Sequence, residues 1–173
     1  MNLSRSFATL RLFSFMLVGT AGLISTSCGS DPVTPADNKD YTAIDEEIIK
    51  KYITDSNITT AQRQASGLYY VPVTTNAAGV QATAGRTVSV LYTGRFMDGR
   101  VFDASANQFT PIDFVLGRGR VIKGWDEGIA LMRKGEKAVL LIPSALAYGS
   151  SGAGSTIPPN TVLRFEVELV NVQ

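Results

Sequence analysis

The sequence contains no histidine, and Cys28 is the one cysteine among its 173 residues. Histidine is the usual general base near neutral pH, and cysteine and histidine together form most structural zinc sites. Ser-His-Asp catalysis, Cys-His catalysis, a Cys/His zinc site and an intramolecular disulfide are therefore excluded. Any catalysis would depend on carboxylates, hydroxyls, amides or the shape of a pocket, and we expect no metal and no organic cofactor.

The sequence also lacks an excess of charge of either sign. Its formal net charge is +1, and removal of residues 1–27 would leave 14 basic and 15 acidic residues. A neutral chain has no field that attracts nucleic acid, so we expect no nucleic-acid partner. The two arginines of segment 117–120 are interpreted as a solvated turn.

Residues 1–27 form the predicted export signal. Arg5 and Arg11 supply positive charge before an apolar run from Leu12 to Ile24. This run is too short to span a bilayer comfortably. Small residues and then Cys28 follow, an arrangement that resembles a bacterial lipoprotein signal, although Ser25 stands where such signals usually carry leucine. We therefore expect lipidation of Cys28 and attachment to a membrane of the cell envelope, on the periplasmic or outer-membrane face. The alternatives are an ordinary secretory signal, which gives a secreted or periplasmic protein, and a retained membrane helix.

Residues 28–41 are poor in apolar side chains and are predicted to be a flexible tether. Residues 42–66 are predicted to be a helical segment, with a helix over 42–53 that Thr42 caps. Its apolar side carries Ile44, Ile48, Ile49, Tyr52 and Ile53, and polar residues surround that side, namely Asp45, Glu46, Lys50 and Lys51. This helix either binds a partner or a second copy, or packs on the domain that follows it; the sequence leaves the oligomeric state open.

Residues 67–173 are predicted to form one α+β domain. Alternation and β-branched runs predict five or six antiparallel strands. They include a buried strand from Lys137 to Ile142 that ends at Pro143, and a strand from Thr161 to Val172 whose inward side chains are Leu163, Phe165, Val167 and Leu169. Apolar residues at helical spacing predict one short helix that contains Trp125 and ends at Gly135. Asp98-Gly99 predicts a hairpin in which both turn residues have positive φ. The segment 149–156, rich in Gly, Ser and Ala, is interpreted as a lid over a pocket.

Seven short motifs in this domain occur in one order and in register. They are Tyr92-Thr93-Gly94, Asp98-Gly99, Val101-Phe102-Asp103, Phe114-Val115-Leu116-Gly117, Val121-Ile122-Lys123-Gly124-Trp125, Ala147-Tyr148-Gly149 and Ile157-Pro158-Pro159-Asn160. Their order and spacing resemble the FKBP-type peptidyl-prolyl cis/trans isomerases, from about residue 67 onward. The resemblance implies a half-open antiparallel sheet wrapped around one short helix.

The resemblance also implies the site residues and the reaction. Trp125 would form the floor of the pocket, and the Ile122 amide and the Tyr148 hydroxyl would donate hydrogen bonds to the bound chain. Asp103 is not expected to act as a base, because rotation about a bond moves no proton. Phe96 and Phe109 match no pocket position and are interpreted as packing. The implied catalytic set is Tyr92, Phe102, Asp103, Trp125, Tyr148 and Phe165, and the implied substrate-binding set is Phe114, Val121, Ile122 and Ile157.

Three positions depart from the family pattern. Ile112 replaces an aromatic residue, Ala153 replaces a histidine of the lid, and Gln108 stands where an arginine often pairs with Asp103. These changes bear on the affinity for macrolide inhibitors. The implied function is isomerisation of Xaa-Pro bonds in proline-containing polypeptides during the folding of cell-envelope proteins. The alternatives are a non-catalytic chaperone or adaptor that binds proline-containing segments, and a structural lipoprotein.

Overall fold

The computed structural model describes residues 39–105 and 109–173. The predicted signal, Cys28, most of the tether and Gln108 lie outside the described residues. None of the helices within these two ranges is long and apolar enough to cross a membrane.

Seven antiparallel strands form one open sheet in the described chain. The strands are β1 (Gln62–Arg63), β2 (Tyr69–Thr74), β3 (Thr87–Phe96), β4 (Val101–Ala104), β5 (Ile112–Val115), β6 (Lys137–Ile142) and β7 (Leu163–Val172). Their spatial order is β1-β2-β6-β7-β3-β4, with β5 also paired to β3. The α+β class and the antiparallel sheet are confirmed, but there is one strand more than the upper estimate of six. The additional strand, β1, has only two residues and therefore no readable periodicity.

One face of this sheet packs against helix α2 (Lys123–Ala130). Trp125 and Ile129 point into the core, as does Met132 just beyond the helix. The helix ends before Gly135, and the prediction that it continues to that residue is wrong. The amides of Lys134 and Gly135 donate instead to the carbonyls of Val80 (2.9 Å) and Leu169 (2.7 Å). The side chains of β7 that were predicted to face inward are all buried, namely Leu163, Phe165, Val167 and Leu169.

Helix α1 (Tyr41–Asp55) packs on the domain through a second apolar cluster. Its cap is Asp40, not Thr42, because the Asp40 carboxylate accepts from the amides of Thr42 (3.0 Å) and Ala43 (3.4 Å). Ile49 is buried, as predicted, but two other positions differ from the prediction: Asp45 is buried and Ile48 is exposed. The residues buried in this cluster are Ile49, Tyr69, Val71, Leu141 and Val162.

The hairpin between β3 and β4 turns at Asp98-Gly99, but Gly99 alone of the two has positive φ (92°). The Gly99 amide donates to the Phe96 carbonyl (3.0 Å), and the Phe96 amide donates to the Arg100 carbonyl (2.9 Å). This longer loop with a glycine in the left-handed region needs only one such residue. The expectation of positive φ at Asp98 is therefore wrong.

Candidate active site

A cavity of about 170 Å³ opens between the sheet and the first turn of α2. It brings together side chains from β3, β4, β5, β7, the start of α2 and the segment after β6. Seven of the ten predicted site residues line it, together with Ile112 and Arg120. The full lining is Tyr92, Asp103, Ile112, Arg120, Val121, Ile122, Trp125, Tyr148 and Phe165.

Trp125 lies at the base of this cavity and is only 3% exposed. Ile122, with extended backbone (φ −60°, ψ 150°), starts the helix, and its carbonyl accepts from the amides of Trp125 (2.9 Å) and Asp126 (3.2 Å). The indole packs edge-to-face against Tyr92 (centroids 4.9 Å apart) and Phe165 (5.3 Å apart). Such contacts fix ring orientation as well as burying area, so the floor is a rigid aromatic surface.

The remaining three predicted residues, Phe102, Phe114 and Ile157, do not line the cavity. The Phe102 ring lies edge-to-face against Phe165, with ring centroids 5.4 Å apart. The ring centroids of Phe114 and Trp125 are 5.9 Å apart. Ile157 is buried, and its backbone exchanges two hydrogen bonds with Ala153 (2.8 and 3.1 Å). Phe102 and Phe114 therefore support the lining rings, and Ile157 holds the backbone of the segment that follows Tyr148.

Gly94 permits this ring packing. A Cβ atom at this position would lie 2.7 Å from Cζ of Phe102 and 2.9 Å from Cε1 of Phe165. A side chain there would separate the two rings, since non-bonded carbon atoms pack at about 3.5–4.0 Å. The Tyr92-Thr93-Gly94 motif does not by itself indicate this steric role, because it depends on the packing of two rings that are distant in the sequence.

Asp103 is oriented by two hydrogen bonds. It accepts from the Tyr92 hydroxyl at Oδ2 (2.7 Å) and from the Ala104 amide at Oδ1 (2.9 Å). Burial raises the pKa of Tyr92 far above its ordinary value. The hydrogen bond to Asp103 and the negative charge of that carboxylate raise it further. Burial and the charge of Asp103 also raise the pKa of Tyr148. Both phenols are therefore neutral donors at physiological pH.

Two donors at the cavity have no acceptor within the described chain. They are the backbone N–H of Ile122 and the hydroxyl of Tyr148. The indole Nε1 of Trp125 is also buried without a partner among these residues. A ligand with carbonyl oxygens suits such a set, because an unmatched donor near an apolar cavity is costly.

Three features were not anticipated at the sequence level. Arg120 lines the cavity, although the sequence pattern predicts only a solvated turn there. Ile112, identified as a departure from the family pattern, lines the cavity. Phe109 is 86% exposed, so its interpretation as packing is wrong. An isolated aromatic next to polar residues carries no signal that distinguishes a core position from a surface one.

A larger groove of about 720 Å³ follows the other face of the sheet. Its walls carry ion pairs, including Lys137 with Glu168 (2.8 Å) and Arg164 with Glu166 (2.8 Å). Charged pairs of this kind are ordinary on solvated sheet faces. We therefore assign the site to the smaller, aromatic cavity. Across residues 39–105 and 109–173 there is no cluster of three or more acidic or cysteine side chains that could hold a metal ion.

Comparison with known proteins agrees with this geometry. The family model for FKBP-type peptidyl-prolyl cis-trans isomerase matches residues 79–170. The FK506-binding protein of Neisseria meningitidis serogroup C is 49% identical over 94 residues, which are 54% of this chain and 86% of that protein. FK506-binding protein 2 of Yarrowia lipolytica is 55% identical over 92 residues, 53% of this chain and 64% of the relative. The chain thus spans somewhat under two thirds of the length of the Yarrowia protein.

A solved structure shows the same fold. The peptidyl-prolyl cis-trans isomerase of Pseudomonas syringae superimposes with a TM-score of 0.64 at 34% identity, over 76% of this chain and 96% of that one. The motif order, the aromatic cavity and these similarities have one common explanation. This chain belongs to the FKBP-type peptidyl-prolyl cis-trans isomerase family.

Proposed function

We propose that this protein catalyses cis/trans rotation about Xaa-Pro bonds in polypeptides that fold in the cell envelope, where Cys28 anchors it to a membrane. The single observation that carries the catalytic part is the cavity itself. It joins a rigid floor of three aromatic rings to two donors that have no acceptor within the described chain. A proline ring fits the floor, and the carbonyl oxygens on either side of it fit the donors.

The chemistry requires no proton transfer. Amide resonance produces a barrier of about 18–20 kcal/mol to rotation about the C–N bond. Transfer of the imide from water into an apolar cavity weakens that resonance, because the charge-separated form loses its hydration. A wall complementary to the twisted amide then stabilises the transition state more than either isomer. A protein without histidine can supply all of these effects.

The polar residues of the cavity have separate roles in this scheme. Tyr148 and the Ile122 amide donate to the peptide, and their hydrogen bonds hold it while the imide rotates. Asp103 and Tyr92 satisfy each other through a 2.7 Å hydrogen bond. Asp103 therefore shapes the wall and keeps Tyr92 in place; no base is needed.

The proposed location and ligands rest on the chain's N-terminal pattern and on its relatives' names. An apolar run followed by small residues and Cys28 supports lipidation, and the neutral charge suits neutral peptide ligands. The Neisseria and Yarrowia relatives are named for binding FK506, which suggests macrolides as cavity ligands of this protein too. Ile112 at the rim, where other members have an aromatic ring, would weaken that binding.

The decisive measurement is cis-to-trans relaxation of Xaa-Pro peptides, with the full chain kept in mild detergent. We expect relaxation to accelerate in proportion to protein concentration, and Tyr148→Phe and Phe102→Ala to reduce the effect. Phe109→Ala, which alters an exposed aromatic outside the cavity, is the matched control and should retain full activity. Absence of acceleration for several Xaa residues, with the protein shown to be folded, would favour a non-catalytic chaperone or adaptor.

The membrane anchor is tested separately. In a bacterial host, the wild-type chain should gain the mass of a lipid modification and partition into the detergent phase. Cys28→Ser should remove both properties and leave the isomerase activity unchanged, because Cys28 precedes the domain. A wild-type protein that is cleaved near residue 28 but carries no lipid would instead indicate simple secretion.

A further inference from the structure

Asp45 and Ser144 form a buried pair that joins α1 to the segment preceding Tyr148. Asp45 is 1% exposed. Its Oδ2 accepts hydrogen bonds from the backbone N–H of Ser144 (2.8 Å) and from the Ser144 hydroxyl (2.6 Å). The two residues are 99 positions apart in the chain, so this contact exists only in the folded domain.

A carboxylate is a costly residue at this place on α1. Its other oxygen, Oδ1, is buried and has no partner within the described chain. Burial of a charged or polar group is unfavourable unless hydrogen bonds satisfy it, and an apolar side chain would attach the helix without that cost. The carboxylate, unlike an apolar side chain, fixes the position of one particular residue, because it accepts hydrogen bonds from both the amide and the hydroxyl of Ser144.

A short path of hydrogen bonds leads from Ser144 to the cavity. Ser144 begins a 3₁₀ turn (Ser144–Leu146). The Pro143 carbonyl accepts from the amide of Leu146 (2.9 Å), and the Ser144 carbonyl accepts from the amide of Ala147 (3.0 Å). Tyr148 is the next residue. One tight turn therefore separates the residue that Asp45 holds from a side chain that lines the cavity.

Tyr148 depends on this backbone for its position. Its side chain is 40% exposed, and its hydroxyl has no acceptor among the described residues, so little of its environment fixes the ring directly. On the other side of Tyr148, the Gly149 carbonyl accepts from the Asn160 amide (2.8 Å). The backbone is therefore held on both sides of Tyr148: by the Ser144–Asp45 hydrogen bonds before it and by the Gly149–Asn160 hydrogen bond after it.

We propose that Asp45 is a positioning residue for the isomerase reaction: through Ser144 it holds the Tyr148 hydroxyl where it donates to the bound peptide. This inference rests on the function proposed above for the cavity. It gives α1 a role in catalysis, although Asp45 lies outside residues 79–170, which the family model matches.

The test is a double-mutant cycle on kcat/KM for an Xaa-Pro peptide, measured on the full chain at a temperature where every variant is folded. Tyr148→Phe removes the hydroxyl, and Asp45→Ala removes the anchor. Each should lower kcat/KM by roughly three- to tenfold, the size expected for loss of one well-placed hydrogen bond. Because both act through one hydroxyl, the double variant should be no slower than Tyr148→Phe alone.

Three further variants separate positioning from stability. Ser144→Ala keeps the amide contact with Asp45 and should give an intermediate loss of activity. Asp45→Asn keeps an acceptor for Ser144 and should recover most of it. Ile49→Ala is the matched control: it also removes a buried side chain of α1, but one that packs in the second apolar cluster. It should lower thermal stability and leave kcat/KM unchanged.

A second readout does not depend on activity. Fluorotyrosine incorporated into the chain gives a ¹⁹F NMR signal for Tyr148, assigned by its disappearance in Tyr148→Phe. That signal should shift or broaden in Asp45→Ala and Ser144→Ala, and stay in place in Ile49→Ala.

The outcomes distinguish this inference from the proposed function. Any of three results would overturn the positioning role. Asp45→Ala and Ile49→Ala could lower kcat/KM equally, the effects of Asp45→Ala and Tyr148→Phe on kcat/KM could be additive, or the ¹⁹F signal of Tyr148 could stay in place in Asp45→Ala. An inactive wild-type protein whose Tyr148 signal still responds to Asp45→Ala and Ser144→Ala would overturn the proposed isomerase while supporting the anchor.

Discussion

Trp125 shows how a single side chain serves both the cavity and the core. Its ring contacts Tyr92, Phe114 and Phe165 and is almost fully buried, so removal of the indole leaves a cavity that the surrounding rings cannot fill. We expect Trp125→Ala to lower the free energy of unfolding by about 3–5 kcal/mol and to abolish most activity. Urea denaturation and peptide relaxation measure the two effects.

The control for Trp125 is another aromatic residue, Phe109. Because its ring is exposed, Phe109→Ala should change stability by no more than about 0.5 kcal/mol. Full activity and unchanged unfolding in Trp125→Ala would show that the indole is neither the floor of the site nor part of the core.

The phenols of the cavity predict the pH dependence of catalysis. Burial and the charge of Asp103 raise the pKa of Tyr148 above the ordinary value of 10.0, so its proton is retained at pH values where an exposed tyrosine begins to ionise. We expect kcat/KM to stay constant from about pH 6 to about pH 9, and any loss through ionisation of Tyr148 to have its midpoint above pH 10. A fall in the wild type centred below pH 10, and missing in Tyr148→Phe, would contradict this assignment.

At the scale of the elements, α2 and β6 approach so closely that only glycine fits between them. A Cβ atom at Gly124 would lie 2.5 Å from Cγ2 of Ile142. Ile142 is fully buried and, being β-branched, has little freedom to rotate away. Helix propensity favours alanine over glycine by about 1 kcal/mol, but overpacking of a core costs about 1–3 kcal/mol.

We therefore expect Gly124→Ala to destabilise the domain by up to about 2 kcal/mol, although alanine is the better helix former. Chemical denaturation measures the change. Ile142→Ala supplies the control, because it removes the atoms that clash: Gly124→Ala should cost little when added to Ile142→Ala. Stabilisation by Gly124→Ala in the wild-type background would show that propensity outweighs the contact.

Helix α1 is attached to the sheet by a polar cluster as well as by Ile49. Glu46 accepts from the Tyr69 hydroxyl (2.7 Å) and from Arg63 Nε (3.0 Å), and Lys50 Nζ lies 3.1 Å from the same carboxylate. Burial raises the pKa of Glu46, but these hydrogen bonds and charges outweigh it and lower the pKa from 4.5 to about 2. The charged form is thus favoured by folding.

The sign of the pH effect follows from linkage. Because the folded pKa lies below the unfolded value, the stabilisation by Glu46 is complete above about pH 4.5 and is lost as the pH falls to about 2. Glu46→Gln should melt at a lower temperature than the wild type at pH 7, with a difference that shrinks through this window. Lys51→Gln, on the exposed side of α1, is the control and should change stability by no more than about 0.5 kcal/mol. A difference independent of pH would contradict the role of the charge.

At the scale of the whole molecule, both faces of the sheet are covered where β2 and β6 pair. Tyr70 and Leu140 belong to the core under α2, whereas Tyr69 and Leu141 belong to the cluster under α1. Deletion of residues 41–58 should therefore destabilise the domain by more than the roughly 2–5 kcal/mol expected for Ile49→Ala alone, and should expose apolar surface that binds a hydrophobic dye. Unchanged unfolding in urea would show that α1 is dispensable.

Regular patterning made most of this fold predictable from sequence, and long-range contacts account for most of the differences. The strand Lys137–Ile142 was predicted with the bounds that the structure shows, because its apolar run ends at a proline. Burial of Asp45 depends on Ser144, far away in the chain, and local periodicity assigned that aspartate to the solvent. The site residues were identified through motif order, whereas the distinction between lining rings and supporting ones such as Phe102 depends on packing.

The position of β7 has a kinetic consequence. It follows every other described strand in the chain, yet it lies inside the sheet, hydrogen-bonded to β3 along one edge and to β6 along the other. Partners of such large sequence separation make folding slow, because loop entropy is lost before the contacts form. The sheet can therefore form completely only after β7 has been synthesised. Until then β3 and β6 present unpaired edges, and a nascent chain in this state is vulnerable to proteases and aggregation.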